Sequence, residues 1–124
     1  MKETVAMNHL YTVTLVLNLL IELLAAVSLI GGPTGFAAAG SGEQWAMHYG
    51  FAALAISTTV LWVWPFRTVP AVATVVLGVL STFHVGLFIS LVTAGDQPAG
   101  VVIHAVMASL CLLLFVRRSR WCAA

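Results

Sequence analysis

Residues 8–30 read NHLYTVTLVLNLLIELLAAVSLI, an apolar run interrupted only by Asn, Thr, Ser, one His and one Glu, and ended by the paired glycines and Pro33 of GGPTG. A helix needs about 20 such residues to cross about 30 Å of hydrocarbon, so this stretch is long enough to span a bilayer. A secretory signal would have a shorter core of about 7–15 apolar residues and a small-residue cleavage site beyond it. This run is longer and carries Asn18 and Glu22 inside it, so we read it as a retained transmembrane helix.

Three more runs of the same kind follow, at about 43–65, 69–94 and 98–117. The whole chain, 124 residues, is 61% hydrophobic and 7% charged. Ordinary soluble domains are about 25% charged, so the composition predicts an integral membrane protein. The expected fold class is all-α, a single domain of four transmembrane helices in an up-down-up-down bundle. A net charge of +1 gives no basic field to attract nucleic acid. Cys111 and Cys122 form no CxxC pair, so neither a disulfide framework nor a thiol redox motif is indicated.

Between the spans, the Gly/Ala-rich segment 31–42 reads as a surface connection, Glu43 stands at the mouth of the second span, and AGDQP is a turn tight enough to make the last two spans antiparallel neighbours. Lys2, Arg67, Arg117, Arg118 and Arg120 fall on one side of this topology, and Glu43 and Asp96 on the other. The positive-inside rule then puts both termini in the cytoplasm, with the plasma membrane as the expected location.

Ionisable groups inside a bilayer are costly, about 2.5–3.5 kcal/mol for a charge at a helix centre, so each calls for a partner or a purpose. Glu22 lies nine positions before Gly31, His48 five after Glu43, His84 ten before Ala94 and His104 six after Pro98. At about 1.5 Å per residue, all four fall about 7–15 Å below the outer surface. Thr14, Asn18 and Glu22 recur every fourth residue and share one face of the first span. The comparable stripes are Trp45, His48, Ala52 and Thr59 on the second span, Thr74, Ser81, His84 and Phe88 on the third, and His104, Ala108 and Cys111 on the fourth. Gly50, Gly86 and Ala105 would give the backbones room beside the histidines.

In an up-down bundle the depth count pairs Glu22 with His84 and His48 with His104, as diagonal neighbours. His48, His84, His104 and Glu22 are a plausible ligand set for zinc, iron or copper. His48 and His104 could instead hold a b-type haem from opposite sides. Without a metal, Glu22 and His84 are candidates for a catalytic acid–base pair. Against these stands the plain alternative that each histidine only bonds a neighbouring helix, worth about 0.6–2 kcal/mol.

The GGPTG opening of the first external loop, the four short spans and the cytoplasmic ends resemble the DoxX-like group of small bacterial four-helix membrane proteins. That resemblance implies a role beside an oxidoreductase system or in quinone-linked redox chemistry, and it transfers no functional residue. The reading is a metal- or haem-dependent oxidoreductase or hydrolase acting on a small lipophilic ligand within the bilayer. The alternative is a non-catalytic accessory subunit, or a proton or metal carrier, working as a homodimer or with a membrane partner subunit.

Overall fold

The computed structural model describes residues 2–33, 45–95 and 97–122. The segment 34–44, with Phe36 and Glu43, and the turn residue Asp96 lie outside the described residues. Four helices, and no strand among the described residues, make up the fold: α1 (Lys2–Gly31), α2 (Trp45–Val63), α3 (Pro70–Ala94) and α4 (Pro98–Trp121). A single 3-10 turn, Trp64–Phe66, follows α2. All four are long and apolar enough to cross a membrane. This is a multi-pass membrane protein whose apolar helix faces suit contact with lipid.

The helix ends follow local chemistry. Pro70 and Pro98 open α3 and α4 at the first helical turn, where a missing N–H costs nothing. Gly95 closes α3 in the left-handed region (φ 73°), and its N–H is donated to the Leu91 carbonyl at 3.0 Å. A side chain at that φ would be strained, so the glycine of AGDQP is what allows the sharp reversal. α1 begins six residues before the predicted span and α4 ends four after it, because helical backbone continues beyond the apolar segment.

The chain forms two compact units, with α1 running through both: Met1–Thr14 with Pro65–Ala124, and Leu15–Trp64. In the first unit α3 and α4 pack antiparallel: Leu91 lies against Gly100 near one end, and Phe115 lies beside Gly78 toward the other. The buried line of α3 is Ala73, Val76, Leu77, Leu80, Ser81 and His84; that of α4 runs from His104 through Met107, Cys111 and Leu114 to Trp121. Tyr11 stacks on Trp121 with ring centroids 4.9 Å apart, and the indole N–H is donated to the Leu114 carbonyl at 3.2 Å.

In the second unit the inward side of α2 is built from Gly50, Ala53, Ser57 and Val60. A Cβ at Gly50 would stand 2.8 Å from Ile30 Cγ1 and 3.1 Å from Leu29 Cβ, so α1 and α2 approach closely there. This corrects the stripe read from sequence. Trp45, His48 and Ala52 are exposed, because small residues rather than the conspicuous aromatic and imidazole rings set the packed face.

Candidate functional site

Glu22 is fully buried, and so are Thr14 and Asn18. The buried line of α1 continues in both directions as Met7, Tyr11, Leu15 and Ala26. The four-residue spacing explains it, since successive polar side chains on one helical face either all meet lipid or all turn inward, and lipid offers them no hydrogen bond. Thr14 donates its hydroxyl to the Leu10 carbonyl, four residues back, at 2.8 Å.

In the other unit, α3 and α4 bring His84 and His104 together. Their Nδ1 atoms are 2.9 Å apart and their rings are tilted by 33° with centroids at 5.2 Å. His84 is fully buried and His104 is 7% exposed. Phe83 turns its ring edgewise toward both imidazoles, at 5.2 Å from His84 and 6.4 Å from His104. An Nδ1–Nδ1 contact of this length is a hydrogen bond in which one ring carries the proton and the other accepts it. When both are neutral they therefore hold opposite tautomers, with one Nε2 protonated and the other bare.

No family model matches the chain, and neither does any curated protein or solved structure. A metal at about 2.05 Å from both Nδ1 atoms would subtend an angle of about 90° at their 2.9 Å separation. That is the adjacent-ligand angle of square-planar and octahedral centres. A tetrahedral ion asks for about 3.3 Å between the nitrogens and would have to open the pair slightly. The haem reading paired His48 with His104, whereas His104 meets His84 and His48 is exposed.

The depth count expected His48 to face His104, and the structure gives His104 a different partner. His104 meets His84 on the adjacent helix instead of a diagonal neighbour. The ends of α3 and α4 are nearly level, with Leu91 against Gly100 and Phe115 beside Gly78, so His84 and His104, unequal in their counts from those ends, meet through the reach of their side chains. His48 is exposed, its ring edge-on to Trp45 at 5.7 Å. Gly86 has nothing within 4 Å of where a Cβ would stand. The two imidazoles, His84 and His104, are nitrogen donors of the kind that can hold a metal ion.

Proposed function

We propose that this membrane protein holds a divalent transition metal on His84 and His104 and uses it for redox chemistry on a small lipophilic substrate. The carrying observation is the 2.9 Å separation of two buried Nδ1 atoms, which matches adjacent positions on one ion. Imidazole nitrogens suit zinc, copper, nickel and iron alike. Two imidazoles with a carboxylate, leaving further positions open, is the ligand set of non-haem iron oxygenases. Glu22 is our candidate for that carboxylate, or for a general base. Its full burial supports this choice. We place both termini in the cytoplasm on the distribution of cations.

The same hydrogen bond favours a second reading. A pair of neutral imidazoles joined through Nδ1 can pass a proton from one Nε2 to the other, which suits an accessory subunit or proton carrier needing no metal. Metal content of the detergent-purified protein separates the two readings. Bound iron, copper or nickel that is lost in both His84→Ala and His104→Ala supports the metal centre. Metal content identical in wild type and both variants would end it.

A further inference from the structure

Two surface cavities of the α3–α4 pair share Thr74. One, of about 290 Å³, lies where the start of α3 meets the end of α4 and is lined by Pro70, Thr74, Arg118, Ser119 and Cys122. The other is an apolar groove of about 650 Å³ lined by Thr74, Gly78, Val79, Thr82, Phe83 and Phe115. The hydroxyls of Thr74 and Thr82 are donated to the Pro70 and Gly78 carbonyls at 2.8 and 3.0 Å, so neither threonine makes the groove polar. From Thr74 to Phe83 the groove runs about 14 Å, close to the hydrocarbon depth of one leaflet.

The head of this site is cationic and fixed. Arg118 donates from Nη1 to the Phe115 carbonyl at 2.7 Å and lies over the Phe115 ring, 4.2 Å from its centroid. A guanidinium has five N–H donors, so most remain for an oxyanion. The N-terminus of α3, which receives no side-chain cap, opens on the same cleft and adds a favourable dipole.

From this we infer that the α3–α4 face binds one anionic phospholipid. Its phosphate is held by Arg118 and Ser119, and one acyl chain lies along the groove over Gly78 as far as Phe83. A charged cleft that continues into an apolar groove of leaflet depth fits an amphiphile, and a free anion would use only the cleft. The chain ends against Phe83, whose ring edge meets His84 and His104, so lipid occupancy borders on the imidazole pair without being part of it.

Native mass spectrometry of detergent-purified protein incubated with phosphatidylglycerol or phosphatidylcholine tests this. Wild type should retain phosphatidylglycerol about fivefold better, the effect of one arginine near an anionic headgroup. Arg118→Gln should bring the two lipids level. Arg117→Gln, on an exposed neighbour, should leave the preference intact. Gly78→Leu should fill the groove and reduce retention of both lipids. Equal retention by wild type, or wild-type retention by Gly78→Leu, would overturn the proposal. So would displacement of phosphatidylglycerol by excess inorganic phosphate, or a dimer that Gly78→Leu dissociates without changing lipid retention.

Discussion

His84 and His104, twenty residues apart in sequence, meet through the same ring atom, Nδ1, at 2.9 Å inside a buried interface of two antiparallel helices. Neither ring can be changed without removing a bond from the other. Replacing either by Ala should cost about 1–3 kcal/mol of stability, through loss of the buried hydrogen bond between the rings. Replacing both with apolar side chains of similar size should cost less than the two single losses added together. Thermal unfolding in detergent across the double-mutant cycle measures this coupling, and additive losses would contradict it.

Glu22 and His48 make opposite predictions. With the carboxylate buried on α1, Glu22→Gln keeps the shape and removes the charge, and should weaken metal binding by about 10–100-fold in chelator competition. His48 is exposed on α2, so His48→Ala should leave metal content unchanged. A reversed pattern would move the centre to α2.

At Gly50 the close approach of α1 and α2 leaves no room for a side chain. Ile30 Cγ1 can swing aside, but Leu29 Cβ and the Ile30 backbone nitrogen, 3.1 and 3.3 Å from the added Cβ, move only with α1. Gly50→Ala should therefore destabilise by about 1–3 kcal/mol and Gly50→Leu by more. Gly86→Ala, with open space around it, serves as the control and should be neutral within about 0.5 kcal/mol.

Tyr11 is 2% exposed, and its hydroxyl has no hydrogen-bond partner among the described residues. Tyr11→Phe should leave stability unchanged or raise it, because it removes a buried polar group that gains nothing. Trp121→Ala, which deletes both the stack on Tyr11 and the bond to the Leu114 carbonyl, should lower the unfolding temperature by several degrees. Equal losses in the two variants would show that the tyrosine hydroxyl is bonded after all.

Cys122 follows α4 directly. Burial pushes its thiol above the ordinary range, and the neighbouring Arg118 guanidinium opposes the shift without cancelling it. The reactive form is the thiolate, so fewer Cys122 thiols are ionised at a given pH than in an unburied cysteine. The alkylation rate should accordingly rise at higher pH than that of a free cysteine. Arg118→Gln should move the profile higher still, and a shift to lower pH would show that the arginine does not face the thiol.

Much of the fold was legible because lipid leaves few options. Thr14, Asn18 and Glu22, repeated every fourth residue in an apolar helix, had to turn inward, and they do. Gly95 and Pro98 marked the α3–α4 reversal for equally local reasons. Less legible was whatever depends on how helices meet. Gly50, Ala53 and Ser57 decide the face of α2, yet small residues leave only a faint trace in a sequence beside Trp45 and His48. The contact between His84 and His104 depends on which way the two side chains lean across the α3–α4 interface, which no count from the helix ends supplies.

The length of α1 bears on how the protein sits in different membranes. Its 30 residues rise about 45 Å, roughly 15 Å more than the hydrocarbon core requires. A helix with spare turns can lean further in a thin bilayer or stand upright in a thick one without drawing its polar start into oil. Membrane thickness should therefore act on this protein through the inclination of α1, leaving insertion itself indifferent to the host lipid.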